Sequence, residues 1–108
     1  MKKQIKDLEL WEVDFLVAKA EGFEPFIRHN KCFIKKEGYY DTYYSPTTNP
    51  SQAWPIIERE RINITYGNED VYCWIGDAFN DKILVGKTSL EASMIAYVDY
   101  KFGDEVEL

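Results

Sequence analysis

Apolar side chains recur at helical spacing near both ends of the chain and at strand-like spacing between them. Residues 8–21, LELWEVDFLVAKAE, place Leu8, Trp11, Phe15 and Ala18 about one helical turn apart, which predicts an amphipathic helix stopped by Gly22. The next stretch is short-range, aromatic and β-branched. FEPFIR, KCFIKK and YYDTYY, split by His29-Asn30 and Glu37-Gly38, read as two or three strands of a meander. Pro25 suits a start at a sheet edge. Residues 45–54 read as a polar loop, with Ser45 and Asn49 held extended by the prolines that follow them. Pro55 then suits the first turn of a short helix through IIERER. Further strands are expected at residues 61–66, 71–76 and 82–85, with a turn at Gly67-Asn68.

The last helix has the clearest signature. Thr88 and Glu91 have capping-box spacing, and Leu90, Met94, Val98 and Phe102 draw one apolar stripe. Gly103 closes the helix, and the tail 104–108, DEVEL, is expected to be loose. The sum is one α+β domain over residues 1–108. A mostly antiparallel sheet of about five strands is packed on one side by an N-terminal and a C-terminal helix, with a short middle helix.

Composition narrows the class. A chain of 108 residues buries about two-thirds of its unfolded surface, enough for a core without staples. An aromatic share of 16% argues against disorder. No apolar run approaches the length that spans a bilayer, and the lysines of MKKQIKDLEL have no apolar stretch behind them, so neither a membrane span nor a signal peptide is expected. Cys32 and Cys73 sit in apolar surroundings and form no C-x-x-C pair, so buried thiols in a cytosolic protein are the expectation. With one histidine and two scattered cysteines, no metal site is expected. A net charge of −6 disfavours duplex nucleic acid, whose phosphates attract basic surfaces. Arg28, Lys31, Lys35 and Lys36 make one small basic patch, read as a solvated strand face.

No nucleophile elbow and no phosphate-cradling glycine loop is present. His29, beside Asn30, reads as a turn residue, and Glu58 and Glu60 about Arg59 read as solvated or ion-paired carboxylates. No catalytic residue and no cofactor is therefore expected. The segment 39–62 stands apart, with four tyrosines, one tryptophan, Thr47-Thr48-Asn49 and two arginines. Rings can stack on a planar ligand, and arginine forks can clamp phosphate or carboxylate. Against this, alternate tyrosines on a strand also pack on their neighbours. The candidate ligand residues are Tyr44, Pro46, Thr47, Thr48, Asn49, Trp54, Ile56, Glu58, Arg59 and Trp74. Tyr72 and Trp74 share one face of a strand, with the core as the favoured surrounding.

Three stretches carry a family resemblance: FLVAKAEG (15–22), YSPTTNPSQAWPIIERERI (44–62) and GKTSLEASMIAYVDYKFGDEVEL (86–108). They resemble the small NinX-like proteins of tailed bacteriophages and prophages. Tyr44, Pro46, Thr48, Gln52, Pro55, Ile56, Ile57, Glu58 and Arg59 match the family loop. Its tryptophan falls on Pro50 here, and its Gly-Gly on Ala53-Trp54, so Trp54 stands four residues later. The resemblance implies a phage accessory protein working in a bacterial cytoplasm and implies no reaction. By analogy with other small phage proteins, it points to a non-catalytic binder that sequesters a small nucleotide-like host defence signal. The alternatives are an inhibitor that meets a host protein through its acidic surface, and a small hydrolase using Glu58 or Glu60. Abundant aromatics also suit a homo-oligomer.

Overall fold

Two tight hairpins and a central pair of helices organise the chain. The computed structural model describes residues 2–35, 41–77 and 82–108. β1 (Lys2–Gln4) leads through a single 3-10 turn to α1 (Leu10–Ala20). β2 (Pro25–Arg28), β3 (Lys31–Lys35) and β4 (Asp41–Tyr43) follow, then α2 (Pro50–Glu60). β5 (Asn63–Tyr66), β6 (Val71–Trp74), β7 (Leu84–Gly86), α3 (Ser89–Phe102) and β8 (Glu105–Glu107) complete the order. Every pairing among the described residues is antiparallel, and apart from β1 with β8 each joins strands that follow one another in the chain. His29 and Asn30 close the β2–β3 hairpin with φ of 54° and 58°, the left-handed pair that a two-residue turn needs to match strand twist.

The strands form two three-stranded sheets, β2-β3-β4 and β5-β6-β7, and a two-stranded β1-β8 ribbon. This differs from the single sheet with both helices on one side. α1 and α3 pack on each other at the centre, with β2-β3 against α1 and β5-β6-β7 against α3. Each helix therefore meets apolar neighbours on more than one side. Val13, Leu16, Val17 and Ala18 are sealed on α1, while Trp11 and Phe15, two residues of the expected stripe, are half-buried. On α3, Met94 and Val98 are buried as the stripe predicts, but Phe102 is exposed and Ala96 and Tyr97 are buried beside them. Both cysteines are buried, as their surroundings predict.

Three expectations are corrected. α2 begins at Pro50, because Asn49 caps it by accepting from the Ser51 N–H at 2.9 Å and Pro50 takes the first-turn place. Pro55 lies inside the helix, and the ring leaves the Ser51 carbonyl, four residues back, without its helical partner on an exposed turn. The tail is β8, not loose: Lys3 pairs with Val106, which is 3% exposed, and the Ile5 N–H donates to the Asp104 carbonyl at 2.9 Å. Tyr72 and Trp74 face away from α3, while Val71 and Cys73 on the alternate face are buried. The expected Glu37-Gly38 turn lies outside the described residues. The capping box of α3 forms as read, the Glu91 N–H donating to Thr88 Oγ1 and the Thr88 N–H to the Glu91 carboxylate, both at 3.1 Å.

Candidate functional site

A hollow of about 220 Å³ opens where the end of α1, the inner face of β3-β4 and the first turns of α2 meet. Ile34 and Ile56 bring it aliphatic side chains, Phe23 and Tyr44 its rings, and Gln52, Thr42, Pro55 and Glu21 complete its lining. The rings stand edge to face with centroids 5.6 Å apart, the arrangement their quadrupoles favour. Helix periodicity brings Gln52, Pro55 and Ile56 to the same side of α2. Gln52 is fixed from both ends of its amide: Oε1 accepts from the Ser45 N–H at 2.7 Å, and Nε2 donates to the Tyr43 carbonyl at 3.0 Å. The hollow therefore sits on a braced frame.

One turn further along α2, Arg59 joins the rim to α3. Its guanidinium grips Glu21 with two bonds of 2.9 and 2.6 Å, and its Nε donates to Glu60 at 2.7 Å. The buried Tyr97 hydroxyl donates to Glu21 Oε2 at 2.6 Å. Hydrogen bonding from Arg59 holds the Glu21 carboxyl below its ordinary value, and Tyr97 adds to this against the cost of burial. The Tyr97 hydroxyl is pushed up by burial first and by its bond to Glu21 next. A carboxylate offers about four lone-pair directions. Arg59 and Tyr97 supply three donors to that of Glu21, two at Oε2 and one at Oε1.

A second polar device holds the loop that enters α2. Asp14, 4% exposed on α1, accepts from the Thr47 N–H at 2.9 Å and from Thr47 Oγ1 at 3.1 Å. Burial raises its pKa to about 6, with both Thr47 bonds opposing. Burial likewise pushes the nearby Cys32 thiol up to about 12, so it stays protonated and unreactive at neutral pH.

The ten sequence candidates thus divide. Tyr44 and Ile56 line the hollow and Arg59 stands at its rim. Pro46 and Thr47 are sealed inside, Thr47 bonded to Asp14, so neither reaches a ligand. Asn49 is a helix cap, and Thr48 Oγ1 donates to the Ser45 carbonyl at 3.3 Å. Trp54 and Glu58 are exposed on α2, and Trp74 belongs to the other three-stranded sheet. Glu21, Phe23 and Tyr97 escape sequence reasoning. Only Tyr97 leaves a signal, since a tyrosine on the buried side of a helix needs a partner for its hydroxyl. Among the described residues no three histidine, cysteine or acidic side chains converge as metal ligands.

A larger hollow, about 450 Å³, lies between the 3-10 turn and β7. Its walls are aliphatic, chiefly Ile5, Leu8, Ile83, Leu84 and Ile95, and it has no aromatic side chain. Of its polar side chains, Gln4, Lys6, Lys82 and Asp104, the last two are bonded to each other. Size alone favours it, but the smaller hollow has the ring pair and the clamped carboxylate.

The architecture is shared with a bacteriophage protein. A phage protein from Bacillus cereus ATCC 14579, solved by crystallography at 2.0 Å, superposes with a TM-score of 0.57 at 20% identity, covering 94% of this chain and 92% of that one. That likeness shows the fold class: a small α+β domain. Residues 4–101 match the family model described as Bacteriophage P22, NinX, and the chain belongs to this family. No curated protein matches. No helix among the described residues is long and apolar enough to cross a membrane.

Proposed function

We propose that this phage protein is a non-catalytic binder in the cytoplasm of the infected bacterium. It would hold the base-like ring of a small nucleotide-type host signal in the Phe23–Tyr44 hollow and so withdraw it from the host. The observation that supports this most is the meeting, in one hollow, of an aromatic edge, apolar walls and a clamped carboxylate. A ring with an N–H donor would stack on the aromatic edge and donate to Glu21 Oε1. The half-exposed Arg59 would face the charged remainder of the ligand. At about 220 Å³ the hollow is smaller than the roughly 300–1,000 Å³ of whole-ligand sites. One chain accordingly takes one ring, and a homo-oligomer would complete the enclosure.

Inhibition of a host protein through the acidic surface draws less support. Asp70 pairs with Lys87, Asp99 and Asp104 with Lys82, and Glu105 with Lys2, so much of that surface is locally neutralised.

Thermal melts against a panel of nucleosides, mono- and cyclic nucleotides and host metabolite extract test the proposal. A ligand at about 100-fold excess over its Kd should stabilise the protein by about 2.7 kcal/mol and be recovered chemically intact. Phe23→Ala, at a partly exposed position, should remove the shift while leaving the free protein folded. No shift with panel or extract overturns the reading, and so does recovery of a converted product.

A further inference from the structure

Independently of that hollow, the opposite face of the β2-β3-β4 sheet has features that ring packing alone leaves unexplained. Side chains alternate across a strand, and directly paired residues share a face. Cys32, Ile34 and Tyr44 are buried on the α1 side. The other side carries Phe26, Phe33 and Tyr43, which the register places in one row across three strands. Phe26 and Phe33 stack with centroids 5.7 Å apart, and Phe33 and Tyr43 are also 5.7 Å apart. Phe26 and Phe33 are half-buried, and Tyr43 is 49% exposed.

Cross-strand ring pairs stabilise a sheet by themselves, but they do not call for the cations around them. On the same face stand Arg28, Lys31 and Lys35, all exposed, against the single carboxylate Asp41 among the residues of these strands. The Arg28 guanidinium lies over both phenylalanine rings, at 5.2 and 5.9 Å, and Lys31 lies 5.8 Å over Tyr43. Arg28 meets Asp41 only at 4.0 Å. On a chain of net charge −6, this is a locally cationic surface with an aromatic spine.

We propose that this face is a platform for single-stranded nucleic acid. Rings in a row on an exposed sheet face are how proteins stack unpaired bases, with guanidinium planes joining the stack. Flanking cations neutralise the phosphates that run beside the bases. A duplex offers no unpaired base faces to such a row, so the specificity is for single strands. The charge contrast also names the partner's sign: on a chain of net charge −6, a locally cationic face favours an anionic partner.

Fluorescence anisotropy with labelled oligothymidylate and oligouridylate of about ten nucleotides, and with a duplex of equal length, tests the platform. Both single strands should bind, the duplex at least about tenfold more weakly, and raising salt from about 50 to about 200 mM should weaken binding about tenfold for two or three phosphates neutralised. Tyr43→Ala should lower affinity by about tenfold, the loss of one stacked base. The double reversal Arg28→Glu/Lys31→Glu should abolish binding, and since both side chains are exposed its melt should stay close to the parent's, whereas Tyr43→Ala loses one cross-strand ring pair and should melt slightly lower while remaining folded. The proposal is overturned by equal affinity for the duplex, by no binding at low salt, or by binding that survives both variants. It is also overturned if the charge reversal instead dissolves a self-association seen without nucleic acid, which would assign the face to a second copy. The platform lies across the sheet from Tyr44, so Phe23→Ala should leave oligonucleotide binding intact and separates this proposal from the previous one.

Discussion

Asp14 illustrates how one residue sets the stability of the loop beneath the site. Its carboxylate is enclosed, yet it receives two donors from Thr47. Burial dominates, and the folded-state pKa rises from 3.8 to about 6. A raised carboxyl pKa means that the folded form holds the proton more tightly than the unfolded form. Its stabilising contribution is therefore complete below about pH 3.8 and is lost as pH rises through about 6. The loss amounts to about 3 kcal/mol at 1.36 kcal/mol per pH unit. Asn at this position still accepts from the Thr47 N–H and can donate to its hydroxyl. Urea melts from pH 4 to 8 should show Asp14→Asn gaining on the parent as pH rises, with the difference levelling above about pH 6. A constant difference across that range would mean that Asp14 does not titrate in the folded state. Glu21 works in the opposite sense: its carboxyl is depressed by Arg59, so its contribution is present above its unfolded value and fades as pH falls. Comparing the variant with the parent at each pH cancels that shared background.

Among the elements, β7 and α3 approach each other closely at Gly86. A Cβ on Gly86 would stand 2.6 Å from the Ala92 backbone nitrogen and 2.8 Å from its Cα. Neither atom can yield without moving the helix, so Gly86→Ala should cost about 2 kcal/mol or more, read as a fall in denaturation midpoint. An unchanged midpoint would show that β7 can move off α3. Much of this level was legible in the residues. The capping box at Thr88, the His29-Asn30 turn and the β5–β6 hairpin form as their local chemistry predicts, because each rests on contacts within a few positions. α2 was legible in kind and misplaced in extent. Two prolines compete for its first turn, and only the Asn49 cap decides for Pro50. The helix faces were less legible, since α1 and α3 are covered from two sides and their burial follows tertiary neighbours more than period. The site was half legible. Tyr44, Ile56 and Arg59 lie in the one segment that drew notice, whereas Glu21 and Tyr97 come from two other elements and meet only in three dimensions.

At the level of the whole molecule, the chain ends belong to the fold. β8 covers Ile5 and pairs with β1, and Lys3 reaches from that ribbon to the buried Glu12 at 2.9 Å. Truncation after Gly103 removes Val106 and the acceptor of the Ile5 N–H, and should lower stability by about 2 kcal/mol or more in chemical denaturation. A truncated chain as stable as the parent would return the tail to the loose end its composition suggests. One three-stranded sheet packs on α1 and the other on α3. The ring hollow and the cationic sheet face both belong to one flank and share β3 and β4, on opposite sides of a single sheet. Binding at the two places is thus compatible in geometry.

The central claim is that the Phe23–Tyr44 hollow takes a planar ring. Backbone amide chemical shifts followed by NMR during titration with a panel of nucleosides and nucleotides test it most directly. The account predicts saturable shifts centred on Phe23, Tyr44, Gln52 and Ile56, lost in Phe23→Ala. Shifts that gather instead around Ile83, Leu84 and Ile95, or spectra that do not change with any ring compound, would contradict it.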